Sequence, residues 1–221
     1  MNENIINTII LGGFFLVLFA FAELLFHKLK LKAEHTRKIV HLGTGLLTLL
    51  FPIWITNHWF ILALCSSFLV ILLLSLKFNF LPSINGVERK TRGSILFPVI
   101  VYICFLVQNH FGSLVYFYIP ILVMAICDPI AALIGKKFEI GKYKIFGHSK
   151  TLIGSAGFCV SAFVVTAFGM SSILTISGGE IVIISIVNAV LTSISEAISH
   201  KGYDNFTIPV TSILVLILFL N

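Results

Sequence analysis

The lysine and arginine residues of this sequence are confined to every second connection between its apolar segments. A transmembrane helix needs about 20 predominantly apolar residues. Eight segments approach that length, near residues 5–26, 39–56, 59–76, 94–109, 113–135, 151–170, 179–199 and 205–220. All 15 cations lie at the first, third, fifth and seventh connections or at their edges, and the connections 57–58, 109–113 and 171–179 contain none. Random placement would not sort charges in this way, so the pattern indicates a polytopic membrane protein with its cationic loops on one side.

Composition supports the same class. Hydrophobic residues make up 58% of the chain and charged residues 11%, whereas a soluble domain has about 25% charged residues. We therefore predict an all-α integral membrane helical bundle, a single domain over residues 1–221, with about eight transmembrane helices. Seven helices and one re-entrant segment are the alternative, because the fourth and eighth segments are short. The positive-inside rule places the cationic loops in the cytoplasm and both termini on the non-cytoplasmic side. The expected location is a bacterial-type inner or plasma membrane, or an ER-like membrane.

An acidic residue interrupts the fifth apolar segment, in the stretch CDPIAALIG (127–135). A carboxylate at such a depth costs on the order of 2.5–3.5 kcal/mol on insertion scales, so Asp128 is expected to face a polar cavity. Pro129 removes a backbone donor and can open a carbonyl group. Gly135 is expected to let the chain turn tightly at the end of the helix. A structural salt bridge from Asp128 to a neighbouring Lys or Arg is the alternative.

The second apolar segment begins with four polar residues at helical spacing, namely Arg37, His41, Thr44 and Thr48. Residues spaced in this way share one helix face. The spacing predicts a polar stripe directed into a wet crevice, with a packing role for His41 as the alternative.

The stretch GKKFEIGKYKIFGHSKTLIGS (135–155) is rich in glycine and lysine and leads into an apolar segment. Ser149 or Thr151 can cap the following helix, and free N–H groups at a helix start beside Lys150 suit a phosphate group. No strand is expected here, so the stretch is not a Walker A loop. A basic loop that contacts lipid headgroups is the alternative. Arg92 precedes a second helix start of the same kind.

Three acidic residues gather at the cationic side of the predicted bundle. Glu196 ends the seventh segment and Asp204, followed by Asn205, lies in the last cationic connection. Together with Asp128, Lys/Arg side chains and helix N-termini, these carboxylates are the parts that hold a nucleoside triphosphate through Mg²⁺. Helix capping by Asp204 and Asn205 is the alternative.

Five blocks occur in order: RKIVHLGTG, RGSILFP, DPIAALIGKKFEIGK, HSKTLIGSAGF and DNFTIP. Together they resemble the CTP-dependent lipid-alcohol kinases, which include dolichol kinase, phytol kinase and the CTP-type diacylglycerol kinase. The resemblance extends from residue 37 to about residue 209. That group is related to phosphatidate cytidylyltransferases, but Ile153 stands where many relatives have an acid, and the longer cytidylyltransferase signature is missing. Both departures favour a kinase.

The resemblance implies an enzyme that transfers the γ-phosphate of CTP to a membrane lipid alcohol (polyprenol or dolichol, phytol, or diacylglycerol) at the cytoplasmic face, with Mg²⁺. The catalytic residues expected from the residues and the resemblance together are Asp128, Arg37, Lys38, His41 and Asp204. The expected nucleotide-binding residues are Arg92, Gly135, Lys136, Gly141, Lys150, Thr151, Gly154, Ser155 and Asn205. The expected metal ligands are Asp128, Glu196 and Asp204.

Two other functions stay open at this stage. A phosphatidate cytidylyltransferase of the CDP-diacylglycerol type would use the same nucleotide and metal. A small ion-coupled transporter would use Asp128 and Glu196 as ion sites. The expected partners are CTP, a lipid alcohol and membrane lipids, with no nucleic acid. The sequence indicates neither the general base nor the oligomeric state.

Overall fold

The computed structural model describes residues 3–86 and 92–221, which are almost entirely helical, as predicted. The cations Arg89 and Lys90 of the third connection lie outside the described residues. The helices are α1 Glu3–His27, α2 Ala33–Thr48, α3 Phe51–Trp54, α4 His58–Phe78, α5 Pro82–Asn85, α6 Gly93–Phe111, α7 Val115–Leu122, α8 Asp128–Phe138, α9 Leu152–Ile173, α10 Gly178–Ile198 and α11 Asp204–Leu220. A π-helical segment, Val123–Cys127, joins α7 to α8, and the strands β1 Lys142–Ile145 and β2 His148–Thr151 pair as an antiparallel hairpin.

Six helical stretches of the described chain are long and apolar enough to cross a membrane, and the protein is an integral membrane protein. They are Glu3–His27, His58–Phe78, Gly93–Phe111, Val115–Phe138, Leu152–Ile173 and Gly178–Ile198. The apolar helix α11 is shorter, at 17 residues. The prediction of one continuous helix over 39–56 is wrong, because the chain forms α2 and then the short α3, with a turn between them.

The broken α2–α3 pair nevertheless runs back along the whole of α1. Near the start of α1, the Asn7 side chain donates a hydrogen bond to the Trp54 carbonyl at 2.7 Å. At the other end of α1, residues 28–32 lead directly into α2, and Glu23 of α1 and Thr36 of α2 both hydrogen-bond to Ser83 of α5, at 3.1 and 2.6 Å. Helices α2 and α3 together therefore extend from the end of α1 back to its start. We call the end with residues 28–32, 139–151 and 199–203 the cationic end.

The continuous stretch from Val115 to Phe138 is the central helix of the bundle. Its π-helical segment is fully buried at Val123, Met124, Ala125 and Cys127. A Cβ atom placed on Gly45 of α2 would lie 2.3 Å from the Cβ of Ala125. The backbone of α2 therefore packs directly on the π-helical segment, which sets the polar stripe of α2 beside Asp128.

The β-hairpin corrects the expectation that residues 135–155 contain no strand. Its turn residues, Phe146 and Gly147, both have positive φ, at 47° and 79°. This is the backbone form that two-residue hairpin turns require. The sequence Lys-Tyr-Lys-Ile of β1 alternates polar and apolar residues with the period of a strand, and this short signal was missed.

Gly135 serves helix packing instead of the expected turn. Helix α8 continues through it to Phe138, and the chain turns at Glu139, with φ of 49°. A Cβ on Gly135 would lie 2.7 Å from Thr151 Oγ1, and one on Gly154 would lie 3.2 Å from the Gly135 Cα. The two glycines thus let α8 and α9 cross in close contact.

We predict that Gly45→Ala destabilises the protein by about 1–3 kcal/mol, because the added methyl group overlaps Ala125. The midpoint of thermal unfolding in detergent should fall, and the double variant Gly45→Ala/Ala125→Gly should recover it. Gly13→Ala is the matched control, since a Cβ there meets nothing within 4 Å. Equal effects of the Gly45 and Gly13 substitutions would contradict the close packing of α2 on the π-helical segment.

Candidate functional site

A cavity of about 560 Å³ begins at the cationic end and extends into the bundle. It is lined by most of the predicted site residues, namely Arg37, Lys38, His41, Asp128, Gly135, Lys136, Lys150, Thr151, Gly154, Ser155, Glu196, Asp204 and Asn205. These residues come from α2, α8, the hairpin, α9, α10 and α11. The alternation of the connections brings their motifs to one end of the bundle, so distant blocks of sequence meet in one space.

Near the opening of the cavity, an ion pair joins α2 to α8. Lys136 Nζ donates to Glu34 Oε1, and both side chains are substantially exposed. The hydrogen bond from Lys136 holds the pKa of the Glu34 carboxyl below its usual value. Glu34 was not predicted as a site residue, although it lies one helical turn before Arg37 and Lys38.

Asp128 lines the cavity and is half-buried. Within residues 3–86 and 92–221 it forms no salt bridge. The charges of Asp204, Glu196, Lys150 and Lys38 lie near enough to act on its carboxylate. The structural salt bridge considered as an alternative is therefore not seen in the described part of the chain, and the acid faces a polar cavity as expected.

Lys150 and Glu196 form a buried ion pair between the hairpin and α10. Their side chains are 19% and 8% exposed. Lys150 Nζ donates to Glu196 Oε1 and also to the Glu196 backbone carbonyl. The second carboxylate oxygen, Oε2, is buried with no hydrogen-bond partner among the described residues. The pair thus places one unsatisfied carboxylate oxygen inside the protein, beside the cavity.

The start of α9 does not offer the free N–H groups that the sequence suggested. Thr151 caps this helix, as one of the two expected residues, and its Oγ1 accepts the N–H of Gly154 at 3.1 Å. The N–H groups of Leu152 and Ile153 are directed to the carbonyls of Gly141 and Ile140, at 2.9 and 3.5 Å. A phosphate group at this position would therefore be held mainly by side chains.

His41 hydrogen-bonds to the central helix. Its Nε2 lies 3.2 Å from the Met124 carbonyl. Because a carbonyl can only accept, Nε2 carries the proton, and Nδ1 of the neutral ring remains an acceptor. A π-helical turn followed by Pro129 loosens the backbone ladder and makes carbonyl groups available to side chains. This is the opened carbonyl that the Asp-Pro pair predicted.

Below His41 the cavity becomes apolar. Its deep part, the apolar section, is lined by Phe15, Phe19, Phe51, Cys65, Phe68 and Leu72. The Phe15 ring lies 5.9 Å from that of Phe51 and 5.0 Å from that of Phe68. The hydroxyls of Thr44 and Thr48 donate to carbonyls of their own helix, at 2.8 and 2.7 Å. The predicted stripe thus lines the cavity, but its lower half presents little polarity to it.

Comparison with known proteins identifies the family. The chain is 32% identical over 204 residues to a phytol kinase from Synechocystis sp. (strain ATCC 27184 / PCC 6803 / Kazusa), and the match covers 88% of this chain and 83% of that protein. The chain belongs to the lipid-alcohol kinase family. No family model matches it, and no solved structure matches it.

Two predicted nucleotide-binding residues of this kinase do not line the cavity as residues 3–86 and 92–221 define it. Arg92 donates to the Tyr203 hydroxyl at 2.7 Å, and the Gly141 carbonyl accepts from Leu152 at the start of α9. Asn205 does line it, and its Nδ2 donates to the Gly93 carbonyl at 3.0 Å. Arg92, Gly141 and Asn205 thus all make contacts that organise helix starts.

The cavity of the kinase also contains residues that the sequence reasoning missed, including Ser94, His148 and His200. The rings of His148 and His200 stack with centroids 5.1 Å apart. His148 is the first residue of the block HSKTLIGSAGF, and His200 lies in the last cationic connection. Their positions in the sequence could have marked both as candidate site residues. Their stacking could not be predicted, because it depends on how the hairpin packs on the connection between α10 and α11.

Three carboxylates were predicted as metal ligands, and all three line the cavity of the kinase. In the described part of the chain, however, no group of three or more His, Cys, Asp or Glu side chains lies close enough to hold a metal ion. Glu196 is engaged by Lys150, whereas Asp128 and Asp204 form no salt bridge among the described residues. Mg²⁺ commonly takes one or two carboxylates and completes its shell with water and substrate phosphates, so Asp128 and Asp204 fit that requirement.

We predict that Lys150→Met lowers the free energy of unfolding by about 3–5 kcal/mol, because it leaves the Glu196 carboxylate buried and uncompensated. The double variant Lys150→Met/Glu196→Gln should recover most of that stability without recovering phosphorylation. Thermal unfolding in detergent measures the first effect and product formation the second.

The exposed pair Lys142–Glu139 provides the stability control, since both side chains are 61% exposed. Lys142→Met should leave the midpoint of thermal unfolding almost unchanged, because exposed ion pairs contribute little to stability. A double variant at Lys150 and Glu196 that regains full activity would show that the pair has a structural role alone.

Proposed function

We propose that this kinase transfers the γ-phosphoryl group of CTP to the hydroxyl of a membrane lipid alcohol, with Mg²⁺, at the cytoplasmic face. The observation that carries the proposal is the two-part cavity. Its charged part lies at the cationic end, and the apolar section continues from it into the depth of the bundle. A polyphosphate and a hydrocarbon chain need these two environments, and phosphoryl transfer needs them to meet at one point.

The phosphates would lie among the cations near the opening. Phosphoryl transfer depends mostly on positioning and charge neutralisation. Arg37, Lys38 and Lys136 line this part of the cavity. Lys150 has three donors, of which Glu196 engages two, so one remains for a phosphate oxygen without breaking the buried ion pair.

Asp128 and Asp204 are the proposed ligands of Mg²⁺, and the buried Glu196 Oε2 is a further candidate. When bound between these acids and the phosphates, the ion supplies positive charge that compensates the negative charge of the triphosphate. The residues that surround Asp128 include two acids and two lysines. The two lysines offset only part of the negative charge of the three acids, and a bound Mg²⁺ would offset the rest.

The lipid hydroxyl would lie beside His41, where the charged and apolar parts of the cavity join. The hydroxyl oxygen forms a bond to the γ-phosphorus, the bond from that phosphorus to the β–γ bridging oxygen breaks, and CDP leaves. The hydroxyl proton passes to Nδ1 of a neutral His41 or to a carboxylate. The hydrogen bond from Nε2 to Met124 holds the ring in the orientation for this role.

The cationic connections support a cytoplasmic site, since cytoplasmic loops of membrane proteins carry an excess of Lys and Arg. The related protein is named as a phytol kinase, so phytol is the first acceptor to test, followed by a polyprenol and a diacylglycerol. Neither ATP nor another nucleoside triphosphate is expected to replace CTP efficiently.

The decisive assay uses purified protein, Mg²⁺ and CTP labelled either in the γ-phosphate or in the cytidine. We predict that the γ-label moves to the lipid alcohol and that CDP accumulates. Cytidine label in the lipid, with release of pyrophosphate, would instead identify a cytidylyltransferase. Faster transfer from ATP than from CTP would contradict the proposed donor.

We predict that Asp128→Asn reduces turnover by at least about a thousandfold, because it removes a metal-binding carboxylate from the reaction centre. The variant should remain folded in detergent. Glu180→Gln is the matched control, since Glu180 belongs to the capping box of α10, and glutamine also serves in such a box. Near-normal turnover of Asp128→Asn would remove Asp128 from the mechanism.

A further inference from the structure

The apolar section is too short to hold the tail of a long lipid alcohol. Thr48 lies seven positions after His41 in α2, which corresponds to about 10 Å of helix. Phe15, Phe51 and Phe68 pack together at this depth. One leaflet of the hydrocarbon core is about 15 Å thick, and a lipid tail of that length would need a way out of the cavity.

A second cavity lies beside the apolar section, on the outer side of helices α4 and α6. It has a volume of about 220 Å³ and lies between α4 and α6, where it is lined by Leu62, Cys65, Ser66, Leu69, Pro98, Val99, Tyr102 and Ile103. Cys65 and Pro98 line this cavity and the main one. The two spaces therefore share a wall at these two residues. We call the smaller space the α4–α6 groove.

The rim of the groove faces the bilayer. Ser66 and Val99 are both exposed, and nearly all of the lining is apolar. Leu69 lies nine residues before the end of α4, about 13 Å from the cationic end. That depth is within the hydrocarbon core. A hydrocarbon chain in the bilayer can thus reach the groove without contact with water.

The helices that border the groove are tied together at one end and weakened at its inner wall. His58 Nδ1 and the Tyr102 hydroxyl lie 3.1 Å apart, which joins the start of α4 to α6 on the side away from the cationic end. Pro98, inside α6, has no N–H for the carbonyl one turn earlier, and a proline locally loosens a helix. Helices α4 and α6 are therefore best able to separate at Cys65 and Pro98, the two residues that line both cavities.

We propose that the lipid alcohol enters sideways through the α4–α6 groove, between Cys65 and Pro98, and that its tail lies in the groove while its hydroxyl is at His41. This inference rests on the proposed function, because it assumes a lipid alcohol as acceptor. It adds the route and the residues that contact the tail. The occupant is a hydrocarbon chain attached to the reacting hydroxyl.

The test fills the groove from its exposed rim. Ser66→Trp and Val99→Trp should each raise the KM for a long-chain lipid alcohol about tenfold, with an unchanged KM for CTP and an unchanged kcat for a short, water-soluble analogue of the alcohol. Val70→Trp is the matched control, because Val70 is exposed on α4 and does not line the groove. A KM within twofold of that of the control, for both groove variants, would overturn the proposal.

A second measurement does not depend on turnover. Cys65 is too buried for a thiol reagent, at 7% exposed, so the probe is a lipid alcohol that carries a diazirine in its tail. On irradiation this probe should cross-link to Ser66 or Val99 at the rim of the groove, as mass spectrometry can show. An excess of unlabelled lipid alcohol should reduce the cross-linking, and CTP alone should not. Cross-links confined to residues outside the groove, or cross-linking that the unlabelled lipid does not reduce, would contradict the proposal. If the wild-type protein phosphorylates no lipid alcohol, the proposed function fails, while cross-links at the groove that the unlabelled lipid reduces would still show that the lipid binds here.

Discussion

Ionised groups cannot face hydrocarbon without a large free-energy cost, and this constraint organises the bundle. The chain places Asp128 within the central stretch Val115–Phe138 and Glu196 near the end of α10. Both are accommodated because the surrounding helices enclose a polar space at one end. The contact between Gly45 and Ala125 brings α2 onto the central helix, and the Lys150–Glu196 pair connects the hairpin to α10. Packing and charge compensation therefore support the same cavity.

Much of the fold could be predicted because the bilayer imposes long apolar segments and sorts the cations between their connections. Motifs in alternate connections must lie at the same end of the bundle. That rule places Arg37, Lys150 and Asp204 together without any knowledge of their contacts. The family resemblance pointed to the same residues, and the relative confirms the family. The sequence thus predicted most of the residues that line the cavity, whereas it did not predict the contacts among them.

The contacts that sequence could not give depend on tertiary packing. Gly135 and Gly154 looked like glycines of a phosphate loop, but they allow α8 and α9 to cross. The sequence suggested free N–H groups at the start of α9, but the carbonyls of Gly141 and Ile140 accept hydrogen bonds from them. The break between α2 and α3 is marked by Pro52 in the first turn of α3, a position that proline favours, but one continuous helix with a kink at the proline was equally compatible with it. In each case the local signal was compatible with two structures, and a distant neighbour selected one.

A kinase whose acceptor is dissolved in the membrane must avoid transferring phosphate to water, and the lower part of the cavity suits that need. An ordered water requires two to four polar partners. Below His41, the hydroxyls of Thr44 and Thr48 are directed to their own backbone, and phenylalanine rings line much of the remaining wall. Water would gain few hydrogen bonds there, whereas a hydrocarbon tail gains burial. A hydroxyl attached to such a tail is therefore the acceptor that this cavity holds best beside the charged residues, and selectivity for lipid over water follows from the same gradient of polarity that brings the two substrates together.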